Sequence, residues 1–363
     1  MLASRLGVRL RVQVVSESAF SVQGHGVHSA FMDHLAYLAG MQDVEFVVNG
    51  PPRKDVDLIH VHTVGPYSAA LLISSNAVKV ASAHLVPDSL RGSIVGAGAM
   101  HRFFRPYLSW LYNHADLVVA VSDYVKVELL GMGVTKPILV VPNWVHAGDV
   151  RRPSSTRLAM RSRLGLDPSD VLVVSVGQLQ PRKGVLDFLA TAAELPKVRF
   201  LWVGESIFGV ASLDRTELRR ALAQASPNVR CAGQVARATV YDYLAAADIY
   251  LSLATQETFG IAVLEAASAA CPLVLSDLPV FRATYGDAAQ YVPAGGAAAT
   301  LSALAASSAL RNEWGFRAAE AASAYQPDPN GDHLLAGYNM LLKTKRRVAS
   351  SSGLDVRGGR DDA

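Results

Sequence analysis

The stretch VLVVSVGQLQPRKGVLDFL, residues 171–189, holds a continuous apolar run, a short loop with glycine and proline, and the opening of a helix. An apolar run without alternation fits a strand covered on both faces, which is the condition of a parallel sheet flanked by helices. The same unit recurs outward in both directions. Before it come VRLRVQVV, VEFVV, DLIHVH, VKVASA, DLVVAVS and ILVVP, most of them separated by longer helical patterns. After it come VRFLWVG, VRCAG, DIYLSLA, PLVLS and AQYVP. Two such sets imply an α/β protein with two doubly wound, Rossmann-like domains.

The polar segment HAGDVRRPSS marks the boundary, near residues 145–155. The expected division is a first domain over 1–150 and a second over 151–325. A helical segment over 326–347 follows the break QPDPNG and is expected to cross back to the first domain. Residues 348–363 are polar and rich in glycine and serine, the composition of a disordered tail.

With 363 residues, half of them hydrophobic, the chain can bury two cores. A net charge of +3 gives no field that would favour nucleic acid. Cys231 and Cys271 lie far apart and suit a reducing compartment rather than a disulfide framework. Arg5, Arg9 and Arg11 interrupt the first apolar run, which therefore reads as a strand and not as a secretory signal. The uncharged stretch 288–310 is broken by Pro293, Gly295 and Gly296 and is too weakly apolar to span a bilayer. The expectation is a soluble or membrane-peripheral protein of the cytoplasm.

In a parallel sheet, ligands sit outside the C-terminal ends of the strands. Arg182 and Lys183 stand there, in the loop that Gly177 opens and next to a helix start near Gly184. Two cations beside a helix N-terminus can clamp a diphosphate. A solvated basic turn is an equally good reading of those two residues alone. ETFGIAVLE, residues 257–265, is more specific. It follows the strand DIYLSLA, with a helix start expected near Phe259. Eight residues of helix rise about 12 Å at most, comparable to the span from sugar ring to ribose in a nucleotide sugar. Glu257 is thus placed for sugar hydroxyls and Glu265 for ribose hydroxyls. The backbone N–H groups of Phe259, Gly260 and Ile261 can face the diphosphate or the sugar. A dipole-favoured charge at the helix start would account for Glu257, but not for an acid set within GIAVLEAASAA, which needs a partner.

The pair Glu257 and Glu265, the Arg182–Lys183 pair and VPNWV at 141–145 resemble glycosyltransferase family 4, over nearly the whole chain from Val8 to about Lys345. The resemblance implies the GT-B fold, with its two domains facing a central cleft, and transfer with retention of anomeric configuration. It implies that Arg182 and Lys183 bind the diphosphate and stabilise the departing nucleotide, that Glu265 takes the ribose and that Glu257 takes the sugar. The loop of Gly233 and Val235 would touch the base. A retaining glycosidase uses carboxylates about 5 Å apart, and no such nucleophile pair is evident here. Members of the family react on one face, with charge stabilisation and positioning as the main catalytic effects. Asp55 and Asp57 have the letters of a DxD motif but precede a first-domain strand, where a capped turn is the simpler reading. No metal or other cofactor is expected.

His84 follows the strand VKVASA, and in the family a histidine there contacts the donor sugar near the reacting centre. His62 is a weaker candidate and His60 reads as buried structure. Gly24 and Gly26, in VQGHGVHSAF, suit a loop that in the family approaches the donor phosphates, although His25 interrupts the usual adjacent glycines. An ordinary strand–helix turn would also favour those glycines.

No acidic residue occurs between 89 and 115, where Arg91, Arg102 and Arg105 interleave with Phe103, Phe104, Tyr107, Trp110 and Tyr112. Basic and aromatic residues together suit an anionic membrane surface, and an inward-packed core helix is the competing reading. Lys343, Lys345, Arg346 and Arg347 form a second basic cluster, which a solvated helix end explains as well. HLVPDSLRGSIVGAG and GQLQPRKGVLDF are similar to bacterial family members that extend glucosyl-diacylglycerol to a diglycosyl lipid. This implies UDP-glucose or UDP-galactose as donor and a glycolipid acceptor at the inner face of the cell membrane. The alternatives are a soluble or polysaccharide acceptor, or a GT-B nucleotide-sugar epimerase.

Overall fold

The computed structural model describes residues 9–20, 26–87, 97–205 and 215–352, with side chains left out at 97–103, 215–216, 346 and 348–352. Two six-stranded sheets carry the fold. The first contains β1 (Leu10–Val15), β2 (Val44–Val48), β3 (Leu58–Val61), β4 (Val78–Ala83), β5 (Leu117–Ala120) and β6 (Ile138–Val140), in the order β2-β1-β3-β4-β5-β6. The second contains β7 (Leu172–Val176), β8 (Arg199–Val203), β9 (Val229–Cys231), β10 (Ile249–Ser252), β11 (Leu273–Ser276) and β12 (Gln290–Val292). Its order is β9-β8-β7-β10-β11-β12, the Rossmann arrangement. Every pairing between these strands is parallel.

Each strand lies within the apolar run expected for it, trimmed by a residue or two. β3 and β5 are buried along their whole length, which is why their sequences show no alternation. In each sheet the chain reverses its direction of travel at one gap, β1/β3 in the first and β7/β10 in the second. The loops leaving those strands splay apart there and leave room for a ligand.

A large apolar core runs through both domains, from Ile59 and Val118 to Val174 and Leu264. The connection holds a four-residue helix, Ala147–Val150, whose Val150 is buried, before the helix Ser154–Arg163 begins. The last helix, Pro327–Ser352, packs on the first domain, where Leu334 and Tyr338 join Val12, Leu58 and Trp144. Residues 348–352 thus continue a helix and are not the start of a disordered tail. The segment VASSS contains neither glycine nor proline, so nothing ends the helix before Gly353. The rest of the expected tail lies outside the described residues.

Candidate active site

The C-terminal ends of the two sheets enclose a cleft of about 540 Å³. On the second-domain side, β7 ends in a loop and a one-turn 3-10 helix, Pro181–Lys183, before the helix Val185–Glu194. Gly184 joins them with φ of +75°, and a Cβ there would overlap the Leu253 carbonyl of the strand-end beside it. Glycine is therefore required at the bend. This geometry turns Arg182 and Lys183 into the cleft.

β10 delivers the opposing acid. Its loop brings Glu257 against Lys183, whose ammonium donates to Glu257 Oε1. Burial lowers the pKa of Lys183, Glu257 opposes the shift and neighbouring Arg182 adds to it. Burial also lowers that of Arg182, again opposed by Glu257. Two desolvated cations in the cleft wall can receive an anionic group.

The helix after this loop begins at Ile261, two residues later than expected, with Gly260 as its N-cap at φ of +89°. A Cβ on Gly260 would lie 2.9 Å from the Phe281 ring. The backbone at Phe259, Gly260 and Ile261 lines the cleft, and the first helical N–H groups have no partner within the helix. The Phe259 side chain turns away into the core against Tyr325, with ring centroids 5.6 Å apart. Gly177 and Val235 also line the cleft, whereas Gly233 sits behind Gln234 and Val235 and supplies a carbonyl to the Gly204 N–H at 2.9 Å.

Glu265 lines the same cleft and is only 4% exposed. The partner that its burial demands is Arg237, whose Nε donates to Glu265 Oε1 at 2.7 Å. The same guanidinium grips Asp33 of the first domain with two bonds of 2.6 and 2.9 Å. Tyr241 adds its hydroxyl to Glu265 at 3.3 Å. Burial raises the pKa of Glu265 and of Asp33, and Arg237 offsets part of each rise. Asp33, Arg237 and Tyr241 escaped the sequence reading. The buried acid in GIAVLEAASAA signalled that a partner exists, but nothing local identified Arg237, 28 residues earlier in the same domain, or its link to Asp33 of the first.

On the first-domain side, His84 stands just past β4 and His62 just past β3, both in the cleft wall. Residues two apart on a strand share a face, so His60 lies behind His62, fully buried, with ring centroids 4.5 Å apart. His34, from the helix Gly26–Ala39, completes a cluster in which His34, His60 and His62 bring one ligand atom each within 4.8 Å of one another. Gly26 lines the cleft, and Gly24 lies outside the described residues. Glu17, also in the wall, accepts the N–H groups of Gly65, Tyr67 and Ser68 at 2.9, 2.8 and 3.2 Å and so caps the helix Pro66–Ser74. Asp57 accepts the Arg11 N–H at 2.9 Å and Asp55 pairs with Arg53, both away from the cleft.

The basic aromatic segment is a helix, Ala97–Asn113, that lies outside the cleft lining. Arg91 and the side chains of Arg102 and Phe103 lie outside the described residues. Leu108, Leu111 and Tyr112 are buried, and Phe104 and Tyr107 pack at the edge of the core. Trp110 is 42% exposed and stacks on Tyr107, while exposed Arg105 donates to the Gly131 carbonyl. The segment therefore divides between a core face and a solvent face. Among the described residues, no helix is long and apolar enough to cross a membrane.

Comparison with known proteins agrees with this fold. Residues 156–322 match the family described as Glycosyl transferases group 1, and residues 22–148 match Glycosyltransferase Family 4. The alpha-galactosylglucosyldiacylglycerol synthase of Streptococcus pneumoniae is 27% identical over 278 residues, 76% of this chain and 74% of that protein. The processive diacylglycerol alpha-glucosyltransferase of Acholeplasma laidlawii is 26% identical over 282 residues, 75% of this chain and 80% of that protein. The fold resembles that of Anabaena HepE, solved in complex with UDP and glucose, with a TM-score of 0.75 at 16% identity over 92% of this chain and 100% of that one.

Proposed function

The chain belongs to the glycosyltransferases, with a family 4 first domain and a group 1 second domain, and from that premise we propose that it moves a hexose from a nucleotide diphosphate sugar to a glycolipid, with retention of configuration. The observation that carries this reading is the meeting of Arg182, Lys183 and Glu257 at the β7/β10 gap, across the cleft from His84. The two cations receive the diphosphate and hold the negative charge that grows as the sugar departs. Glu257, Glu265 and the helix start at Ile261 position the sugar and the ribose. The acceptor oxygen bonds to the anomeric carbon on the face that the phosphate leaves, and its proton passes to the departing phosphate oxygen. Positioning and charge stabilisation then supply most of the rate enhancement.

UDP-glucose or UDP-galactose is the proposed donor, supported by the sugars named in the two relatives and by the UDP and glucose bound to the Anabaena protein. The proposed acceptor is a glucosyl-diacylglycerol-like lipid at an anionic membrane surface. Both relatives are named for diacylglycerol glycolipids, and the Trp110 and Arg105 face of the helix Ala97–Asn113 is open to solvent. The reaction is proposed to need no metal ion, because Arg182 and Lys183 already answer the phosphate charge. Among the described residues, the metal-capable cluster of His34, His60 and His62 belongs to the first domain, and of its members only His62 joins that pair in the cleft lining.

The test is a transfer assay with radiolabelled UDP-glucose and UDP-galactose in turn, vesicles containing glucosyl-diacylglycerol, and EDTA throughout. Label entering the lipid phase supports donor, acceptor and metal independence together. Donor hydrolysis without lipid labelling would reject the lipid acceptor and leave the donor site standing.

A further inference from the structure

Behind the cleft wall, six side chains form one run of hydrogen bonds. Ser82 Oγ lies 2.7 Å from His60 Nε2, and His60 Nδ1 bonds the Tyr338 hydroxyl. That hydroxyl lies 3.2 Å from His34 Nε2, His34 Nδ1 lies 2.8 Å from His62 Nε2, and His62 Nδ1 lies 3.1 Å from His84 Nε2. The run begins deep in the first domain, passes through the last helix of the chain and ends at the cleft. Apart from His84, its members are at most 5% exposed.

Burial holds the interior rings neutral. It lowers the pKa of His34 to about 3 and those of His60 and His62 well below the usual imidazole value, with neighbouring histidines adding to the shift. A neutral imidazole has one N–H and one lone pair, and a hydroxyl has one hydrogen to donate. Every link in the run needs one hydrogen and one lone pair, so, when the Tyr338 hydroxyl donates to one ring and accepts from the other, the direction chosen at one link fixes all the others. If Ser82 donates to His60, then all four histidines carry their hydrogen on Nδ1. If His84 donates to His62, then all four carry it on Nε2. Between two rings, a mixed pattern sets two lone pairs or two N–H groups against each other, and at Tyr338 it makes the hydroxyl accept twice and leaves its buried hydrogen without one of the run's acceptors.

We propose that His34, His60, His62 and His84 change tautomer only as a unit, and that Tyr338, His34 and His62 are positioning residues that decide whether His84 presents Nδ1 as a donor or as an acceptor. This rests on the reading that His84 faces the donor sugar. The last helix, none of whose described side chains enters the cleft lining, reaches the reacting centre through Tyr338.

The test is nitrogen NMR of the full chain labelled with ¹⁵N-histidine, without ligand, at neutral pH. One shared tautomer across the four rings is expected. Ser82→Ala removes the acceptor for a His60 Nε2–H, and all four rings are expected to move to the Nδ1–H form. Tyr338→Phe is expected to uncouple His60 from the other three, and to lower kcat about tenfold with donor KM within about twofold. Different tautomers among the four rings of the natural protein would overturn the proposal, as would a spectrum unchanged by Tyr338→Phe. So would one equivalent of Zn²⁺ shifting the His34, His60 and His62 resonances together, which would make the cluster a metal site. Full transfer activity in His84→Ala, with the shared tautomer intact, would reject the reading of His84 at the sugar and leave the coupled run standing.

Discussion

The two walls of the cleft are built from the same kind of sheet and differ in charge. The second-domain wall carries Arg182, Lys183, Arg237, Glu257 and Glu265. The first-domain wall carries His62 and His84, backed by buried imidazoles that hold no charge. Within the proposed reaction the difference has a physical reason. A diphosphate brings negative charge that cations must meet, whereas an anomeric carbon gains positive charge as its bond to phosphate breaks. Buried imidazoles kept uncharged behind that wall add no positive charge to oppose the reaction. The walls also differ in construction. The cations sit side by side in one loop, while the histidine run draws on two strands and two helices.

The largest expected break in this comparison is Lys183→Ala. It removes a cation from the phosphate clamp and leaves Glu257 without its partner. A fall of about a thousandfold in kcat/KM, some 4 kcal/mol of transition-state stabilisation, is expected from steady-state kinetics. A loss below tenfold would mean that the charged wall does not face the leaving group.

Arg237→Met comes next. It strips the shared cation from Asp33 and Glu265, two desolvated carboxylates in different domains. Leaving a buried charge unpaired costs about 3 kcal/mol or more, to be read from urea unfolding, with a weaker affinity for donor. Unfolding that splits into two transitions would show that this triad holds the domains together.

The same triad gives a sign to pH dependence. Both Asp33 and Glu265 have pKa values raised in the folded protein, chiefly by burial. The folded state therefore holds those protons more tightly than the unfolded chain does. Their stabilising contribution is complete below their unfolded values, near about 4, and is lost as pH rises through the folded ones. Glu265→Gln removes one of the two titrations. Unfolding free energy of the natural chain minus that of the variant is expected to fall between about pH 4 and pH 7. A difference that rises instead would mean that Arg237 outweighs burial.

The smallest effect concerns the outer surface. Trp110→Ser is expected to change stability by less than about 1 kcal/mol, because the ring is partly solvated and packs mainly on Tyr107 and His114. Sedimentation with anionic vesicles should show binding weakened about fivefold, about 1 kcal/mol. Unchanged binding would remove this helix from the proposed membrane surface. By contrast, Tyr112→Ser should unfold the domain, since Tyr112 is fully buried.

How much of this was legible follows from where each signal is stored. Strands betray themselves by local apolar composition, so all of the expected runs contain one. Arg182, Lys183 and Glu257 were legible because loops at the ends of parallel strands are where ligands bind, and each sits within a few residues of a strand. The helix starts at 185 and 261 were displaced by a residue or two because glycines with positive φ cap them. The segment 89–115 could not be divided by sequence. Its aromatics occupy several helical angles, and only the tertiary fold separates buried Tyr112, whose hydroxyl donates to the Leu85 carbonyl, from exposed Trp110.

Sequence alone determined two parallel, doubly wound sheets, the loop that carries the cleft-lining cations, and the need of Glu265 for a partner. Each of these depends on residues within a few turns of one another. Tertiary structure decided that the partner is Arg237, shared with Asp33 at a separation of 204 residues, and that Tyr338 joins His60 to His34 across gaps of 278 and 304. Such pairings are created when the domains dock and the last helix returns to the first sheet. Local periodicity reports which face of an element is buried, but not what will cover it.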